Sequence, residues 1–205
     1  RAAKTEIPGD PSSAAFWLAA ACLVPGGRVK MKNILLNPTR TGFQNALKRM
    51  GAKIEEKITS REPELVGEVS LEYSKLKGIT INEAEVASLI DELPMLAVLA
   101  AAAEGVTEVR GAEELRVKET DRIEAVATNF RALGGVIETF DDGFRIVGPQ
   151  TLKGGTVDSF HDHRIAMAFA IGALRASGAV TIDRADSVNI SYPTFFETLR
   201  SLTHG

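Results

Sequence analysis

The feature of the sequence that most limits its possible folds is a plan that recurs three times along the chain. Each copy starts at an aspartate, runs into an alanine-rich apolar segment that ends at glycine, and continues through an alternating segment into an amphipathic one. We call these copy one, copy two and copy three, starting at Asp10, Asp91 and Asp162. Recurrence of this kind indicates a fold assembled from one supersecondary unit.

Residue preferences predict the secondary structure of each copy. Alanine, leucine and methionine favour helix, and a glycine just past the last apolar residue, such as Gly51 or Gly134, is typical of a helix end. The alternating stretches "VTEVR" and "AVTID" are typical of half-buried strands. Each copy is therefore predicted to form a helix–strand–helix–strand–strand unit, and residues 59–81 are predicted to add an extra pair of strands to copy one.

The apolar patterns predict how these units pack. The first helix of each copy is apolar nearly all round and should be buried, whereas the second, as in "FQNALKRM", is amphipathic and should cover a sheet. The predicted fold is α/β (α+β), a pseudo-threefold domain around buried alanine-rich helices. We expect a linker at 1–8 and one domain at 9–205, with repeats at about 9–81, 82–158 and 159–205.

Copy three stops at its second helix, so its closing strands are missing from the predicted unit. A missing strand leaves a sheet edge that another segment must cover. The chain also starts without an initiator methionine. We therefore expect it to be part of a longer protein that supplies the missing strands.

Composition limits the possible partners and the compartment. The net charge of the 205 residues is -3, so no overall positive field points to nucleic acid or an acidic membrane, and any anion site must be local. The single Cys22 excludes an internal disulfide and favours a reducing compartment. The apolar runs are too short to span a bilayer, and no secretory signal is visible. These observations predict a cytoplasmic protein.

The places where the copies differ are candidates for chemistry. Before the second helix, copy two has "RVKETDR" where copies one and three have "NPTRTG" and "NISYPTF". If helical, Lys118 and Arg122 stand four apart and share one face. At the first helix, copies two and three have "IDELP" and "FHDHR" where copy one has "GDPSS". Cations at helix N-termini add to the positive end of the helix dipole, which predicts a site for a phosphate or carboxylate.

Each of these motifs has a simpler interpretation as well. Asp91 is also typical of a helix cap, and "KETDR" of a solvated first turn in which Glu119 complements the dipole. The stretch "FHDHR" is also typical of a surface turn. His161 and His163 raise the possibility of a metal site, but no third ligand has suitable spacing. Arg40 of "NPTRTG" could occupy a place similar to that of the copy-two cations.

The motifs "RVKETDR", "DHRIAMAF" and "IPGDPSSAAF", with "IDE", "NPTRTG" and "SYPTFF", make the whole chain resemble the 5-enolpyruvylshikimate-3-phosphate synthase family. Its members transfer the enolpyruvyl group of phosphoenolpyruvate to shikimate 3-phosphate and release phosphate. The resemblance implies a protein of two similar domains, each of three βαβαββ units, with substrates bound in the cleft between them. This chain corresponds to the C-terminal half, which the family's N-terminal segment completes.

The resemblance also implies roles for single residues. Asp91 matches the aspartate that contacts the shikimate hydroxyls and accepts the proton of the attacking 5-hydroxyl. Lys118 matches a lysine close to that hydroxyl and to the transferring group. Glu119 matches the glutamate that handles the proton on the phosphoenolpyruvate methylene. Arg122 and Arg164 match two arginines that bind phosphoenolpyruvate.

His163 matches the histidine beside the second of these arginines. Two positions depart from the family pattern. Asn189–Ile190 stands where many members carry a lysine that contacts phosphoenolpyruvate, and Glu114 stands where some members have a shikimate-contacting asparagine. Both contacts are left out of the predicted site.

The chemistry implied by the resemblance needs two carboxylates in different surroundings and fixed positive charge, and no metal ion or organic cofactor. Two other functions remain open. One is an enolpyruvyl transferase of the same fold that acts on a UDP-sugar; the other is a non-catalytic RNA-binding or assembly module. Negative net charge and few aromatic residues (6%) argue against RNA. Because the cleft needs two walls, we expect this chain alone to be inactive.

Overall fold

The protein is described by a computed structural model that covers residues 6–203, with residues 1–5 and 204–205 outside the described part. Most of the predicted linker at 1–8 and the predicted end of the last helix near Gly205 therefore lie outside it. The α-helices are α1 (Pro11–Leu23), α2 (Gly42–Arg49), α3 (Glu83–Val86), α4 (Leu93–Ala100), α5 (Arg122–Ala132), α6 (His163–Ala173) and α7 (Phe195–Thr203). Short 3-10 turns occupy Pro38–Arg40, Ile90–Glu92, Glu113–Val117 and Ala185–Ile190.

The strands are β1 (Arg28–Leu35), β2 (Lys53–Ser60), β3 (Val66–Glu72), β4 (Thr80–Ile81), β5 (Gly105–Val109), β6 (Glu138–Phe140), β7 (Gly143–Gly148), β8 (Gly155–Asp158) and β9 (Val180–Asp183). They form a three-stranded sheet in the order β1-β3-β2, a four-stranded sheet in the order β4-β5-β7-β6, and a two-stranded sheet of β8 and β9. The architecture is mixed α/β, as predicted.

The apolar helices lie at the centre, which confirms the prediction from their composition. All eight residues of α4 are buried, as are nearly all of α1 and most of α6. The packing between α4 and α6 is close because Gly172 has no side chain: a Cβ there would lie 2.9 Å from a methyl of Val98. This contact lies near the C-terminal ends of the two helices. Their N-terminal ends are close as well, since Arg164 at the start of α6 lies 3.8 Å from Asp91 in the turn before α4.

The prediction of an extra strand pair at 59–81 is wrong. Residues of β3 pair with β1 and β2 in the first sheet, whereas β4 pairs in parallel with β5 in the second. A short alternating segment shows that a strand is favoured but not which sheet it joins, because the partner is set by packing far along the chain. The same applies to β8, which pairs in parallel with β9.

Cys22 is buried and free, as expected for a packed thiol, and burial raises the pKa of its side chain to about 12. Across residues 6–203, every helix is too short or too polar to cross a lipid bilayer.

Candidate active site

The charged segment of copy two is a turn before a helix, not the first turn of that helix. Lys118 has extended backbone, and α5 begins only at Arg122 because the Asp121 carboxylate accepts a hydrogen bond from the Glu124 amide at 3.0 Å. Aspartate in this conformation is a favoured helix cap. The prediction that Lys118 and Arg122 share one helix face is therefore wrong.

Arg116 links the turn before α5 to the hairpin formed by β6 and β7. Its guanidinium donates to the backbone carbonyls of Asp141 and Phe140 and to the carboxylate of Asp121, each at 2.7 Å. Lys118 lies further along the same turn and donates to Glu114 at 3.0 Å. The turn is thus held by side chains at both ends, which fixes where α5 begins.

Arg122 is the centre of a buried network of carboxylates. Only 2% of its side chain is exposed, and its Nε donates to Asp162 at 2.8 Å. Its other nitrogens donate to Asp91 at 2.9 Å and to Glu119 at 2.7 Å. A buried guanidinium needs such partners, because an uncompensated charge away from water is strongly destabilising. Arg122 therefore ties the turn before α5 to the starts of α4 and α6.

Arg164, the second residue of α6, lies on the other side of Asp91. Its side chain is 13% exposed, and its terminal nitrogens are 3.8 Å from a carboxylate oxygen of Asp91 and 3.8 Å from one of Glu92. Both distances exceed those of a hydrogen bond. Within residues 6–203, its buried Nε has no hydrogen-bond partner. The guanidinium of Arg122 is hydrogen-bonded to carboxylates, whereas the guanidinium of Arg164 retains unused donors.

Asp91 differs from the aspartates that start the other two copies. Asp10 and Asp162 cap α1 and α6 by accepting hydrogen bonds from backbone amides, whereas Asp91 lies inside the turn Ile90–Glu92 and bonds to Arg122. Burial alone would raise the pKa of Asp91, but Arg164 and Arg122 outweigh it and hold the pKa below its usual value. Asp91 is therefore an ionised carboxylate at neutral pH, and 39% of its side chain is exposed.

Two further ionisable groups line the same region with shifted pKa values. Burial raises the pKa of Glu92, against the opposing effects of Ser12 and Arg164. Burial, reinforced by the charge of Arg164, lowers the pKa of His163, so its imidazole is neutral at pH 7. In the part of the chain that the structure describes, buried Nδ1 of His163 also has no hydrogen-bond partner.

The remaining predicted residues lie at the rim of this region. The side chain of Glu119 is 45% exposed and that of Lys118 is 24% exposed. Burial raises the pKa of Asp91, but the charges of Arg164 and Arg122, with a smaller contribution from Lys118, lower it overall. All six predicted site residues, Asp91, Lys118, Glu119, Arg122, His163 and Arg164, are thus brought into one region.

Motifs outside this set fall in different places. Arg40 donates to Asp10 and Ser12 at 3.1 Å each, so it lies at the start of α1. His161 is exposed in the turn before α6. No group of three or more His, Cys, Asp or Glu side chains between residues 6 and 203 is arranged to hold a metal ion. Ile190, where many family members have lysine, is 72% exposed.

Sequence reasoning missed two buried acids of the site. Asp162 has 0% exposure and supplies both the cap of α6 and the ion pair with Arg122, although the sequence suggested only the cap. Glu92, with 7% exposure, was not considered. The one available signal was their position next to Arg164 and Asp91, at the starts of helices predicted to be buried.

The arrangement combines an ionised carboxylate, a guanidinium with unused donors and a neutral imidazole at the start of a buried helix. A guanidinium with unused donors suits a phosphate or carboxylate, and a carboxylate beside the same guanidinium suits proton abstraction from a neighbouring hydroxyl. The site is therefore equipped to hold an anion and to move a proton beside it.

Comparison with known proteins identifies close relatives. The family model for EPSP synthase (3-phosphoshikimate 1-carboxyvinyltransferase) matches residues 1–199. A 3-phosphoshikimate 1-carboxyvinyltransferase of Sulfurihydrogenibium sp. (strain YO3AOP1) is 50% identical over 198 residues, which are 96% of this chain and 46% of that protein. A second, from Bacillus cytotoxicus, is 48% identical over 96% of this chain and 47% of its own length.

Solved structures give the same result. A structure of EPSP synthase from Acinetobacter baumannii matches with a TM-score of 0.91 and 39% identity, over 95% of this chain and 46% of that one. The enolpyruvyl transferase NikO from Streptomyces tendae matches with a TM-score of 0.76 at 21% identity, over 95% of this chain and 43% of its own, which indicates a shared fold. The chain spans about half the length of the curated relatives it matches.

Proposed function

The chain belongs to the EPSP synthase family, and on that premise we propose that it forms one wall of an active site that transfers the enolpyruvyl group of phosphoenolpyruvate to the 5-hydroxyl of shikimate 3-phosphate. The observation that carries this proposal is the position of Asp91, an ionised carboxylate flanked by Arg122 and Arg164 from two different helices. That grouping provides a base and an anion-binding cation side by side.

In this proposal, Asp91 accepts the proton of the attacking hydroxyl. It is ionised at neutral pH because two guanidinium groups lower its pKa, and 39% of its side chain is open to a ligand. Glu119, more exposed than Asp91 and bonded to Arg122, exchanges the proton on the methylene of phosphoenolpyruvate. Two carboxylates in different surroundings divide acid and base work in this way.

The two arginines bind phosphoenolpyruvate in different ways, one by direct hydrogen bonds and the other by its charge. Arg164 offers its free donors to the anion, because its nitrogens lie beyond hydrogen-bond distance from Asp91 and Glu92. Arg122 supplies positive charge from a fixed position behind Glu119. Lys118 assists at the shikimate hydroxyl, and neutral His163 lies beside Arg164. Fixed charge of this kind stabilises a developing anion, so the chemistry calls for no metal ion or organic cofactor.

At the level of the fold, we propose three related βαβαββ-type units at about 9–81, 82–158 and 159–205. The support is a parallel pairing around each of three buried helices: Gly9 with Ile34, β4 with β5, and β8 with β9. The strands β4 and β8 lie just before the bounds of the second and third units, so these units begin one strand earlier than the sequence pattern predicts. The remaining part of the parent protein then supplies the other wall of the cleft and the strands that the third unit lacks. A cytoplasmic location follows from the proposed biosynthetic role.

The proposal is tested in the full-length parent protein by measuring phosphate release that depends on both substrates. Asp91→Asn should lower kcat by at least about 100-fold, because a general base is removed without a change of shape. Asp183→Asn is the matched control, since Asp183 is exposed on β9 and lies outside the site. Wild-type turnover by Asp91→Asn would contradict the role of Asp91.

The same assay with another acceptor, together with an RNA-binding measurement, distinguishes the two alternative functions. Turnover with a UDP-sugar as acceptor, and none with shikimate 3-phosphate, would move the protein to the cell-wall type of enolpyruvyl transferase. Salt-sensitive binding of RNA by the chain, without transferase activity in the parent protein, would favour a nucleic-acid module.

A further inference from the structure

Glu92 is a buried acid that the proposed catalytic scheme leaves without a role. The residue is 7% exposed, and its buried Oε1 has no hydrogen-bond partner among residues 6–203. That oxygen lies 3.8 Å from a terminal nitrogen of Arg164. A buried carboxyl with an unsatisfied oxygen costs free energy, so its position calls for an explanation.

Glu92 also connects Arg164 to the start of copy one. Burial raises the pKa of Glu92, and the nearby hydroxyl of Ser12 opposes that rise. Ser12 is buried and accepts a hydrogen bond from Arg40 at 3.1 Å, and Arg40 also donates to Asp10 at 3.1 Å. Glu92 thus lies between Ser12 of α1 and Arg164 of α6, with its unbonded Oε1 3.8 Å from Arg164.

We propose that Glu92 is a positioning residue that holds the guanidinium of Arg164 away from Asp91, so that Arg164 keeps its donors for an anionic substrate. Asp91 and Glu92 are consecutive residues whose carboxylates stand at the same 3.8 Å from two nitrogens of Arg164. Without Glu92, attraction would draw Arg164 into a direct pair with Asp91. That pair would occupy both the proposed base and the proposed anion-binding group.

The inference rests on the proposed function, because it assigns Glu92 a task only if Arg164 binds phosphoenolpyruvate. Beyond that function, Glu92 keeps the cation Arg164 and the proposed base Asp91 apart, although their opposite charges attract each other. The charged groups that act on Glu92 are Asp91, Arg164 and Arg40, from the turn before α4, from α6 and from the turn before α2.

The pH dependence has a definite sign. Burial raises the pKa of Glu92 above its ordinary 4.5, so the carboxyl loses its charge as pH falls through that raised value. Uncharged Glu92 attracts Arg164 less, and the KM for phosphoenolpyruvate should rise on the acid side. Glu92→Gln cannot titrate, so this part of the pH profile should be absent in that variant, whereas contributions from His163 and from the substrate phosphate remain.

The test uses steady-state kinetics of the full-length protein with four variants. Glu92→Ala should raise the KM for phosphoenolpyruvate about tenfold, the loss of one interaction with a charged group, with a smaller change in kcat and none in the KM for shikimate 3-phosphate. Glu92→Gln should raise it less at neutral pH and flatten its acid limb. Ser12→Ala should give a smaller rise than Glu92→Ala. Ser13→Ala is the matched control and should behave as wild type, since its hydroxyl bonds to Asp10.

Unchanged phosphoenolpyruvate KM in Glu92→Ala, or equal rises in both KM values, would overturn the inference; the second result would mean a general structural role. A Glu92→Gln pH profile that matches wild type would overturn it too. If Glu92→Ala does not fold, Glu92→Gln and Ser12→Ala decide the question. Failure of the proposed function itself looks different, because the wild-type protein would then not turn over the two substrates.

Discussion

Asp162 combines a helix cap with a buried ion pair. One carboxylate oxygen accepts a hydrogen bond from the Arg164 amide at 2.8 Å, and the other accepts from Arg122 Nε at 2.8 Å. Asp10 caps α1 in a similar way, but its side chain is 46% exposed and its partner Arg40 is exposed too. The two aspartates have equivalent places in their copies and very different surroundings.

This difference predicts different effects on stability. Asp162→Ala should lower the free energy of unfolding by about 3–5 kcal/mol, because it removes the most deeply buried counter-charge of the buried Arg122 guanidinium. Asp10→Ala should cost only about 1 kcal/mol, the usual loss of an exposed cap. Urea unfolding of the full-length protein measures both. Losses of similar size would show that the bond to Arg122 adds little.

The sequence predicted part of this site for a physical reason. Comparing equivalent places in the three copies indicates an anion site at the charged helix starts of copies two and three, and the resemblance groups Arg122 and Arg164 with Asp91; in the structure, both arginines lie within 4 Å of Asp91. The acids that control these arginines, Asp162 and Glu92, had no comparable signal. Their burial and partners depend on side chains from distant segments, which neither periodicity nor spacing reveals.

At the scale of elements, the turn before α5 depends on Arg116. Its three hydrogen bonds, to Phe140, Asp141 and Asp121, join the turn to the β6–β7 hairpin. Among residues 6–203, the side chain of Arg131, at the other end of α5, makes only a long, exposed ion-pair contact of 3.7 Å, with Glu124. The two arginines therefore offer a matched comparison.

Arg116→Ala should increase amide hydrogen exchange in residues 117–121 by about tenfold or more, because hydrogen bonds from a charged group typically contribute about 1.5–3 kcal/mol. Turnover by the full-length protein should fall as well, since Lys118 and Glu119 lie in this turn. Arg131→Ala should leave both unchanged, as exposed ion pairs contribute about 0–1 kcal/mol. Unchanged exchange in Arg116→Ala would mean that the turn is held by its backbone alone.

The same turn shows why element boundaries were hard to predict. The charged residues of "KETDR" are typical of the first turn of a helix. In the structure the helix starts only after Asp121, whose carboxylate accepts a hydrogen bond from the Glu124 amide. Several polar residues in succession offer competing caps, and local preference does not choose among them. The apolar helices α1, α4 and α6 were predicted correctly, because their composition leaves burial as the only stable arrangement.

At the scale of the whole molecule, the proposed cleft needs material that this chain does not contain. The chain corresponds to about half of its relatives' length, and its share of the proposed site consists of the groups that we propose to bind phosphoenolpyruvate and to move protons. An active site whose two walls exclude water and orient both substrates accelerates the reaction far more than either wall alone.

This predicts complementation in trans. The chain alone should show negligible phosphate release, and mixing it with the remaining part of the parent protein, expressed separately, should raise the rate at least about 100-fold. A mixture made with Asp91→Asn should stay inactive, which excludes contaminating enzyme. Near-normal turnover by the chain alone would contradict the two-wall proposal.

The ion network around Arg122 has a consequence for biosynthesis. Its acids come from positions 91, 119 and 162, so the last counter-charge leaves the ribosome about forty residues after the arginine itself. A nascent chain that has emerged only to α5 already has Asp91 and Glu119 but still lacks Asp162, the counter-charge that is fully buried in the folded protein. The network around Arg122 is therefore complete only after the segment that carries Asp162 has been synthesised and has packed against α5.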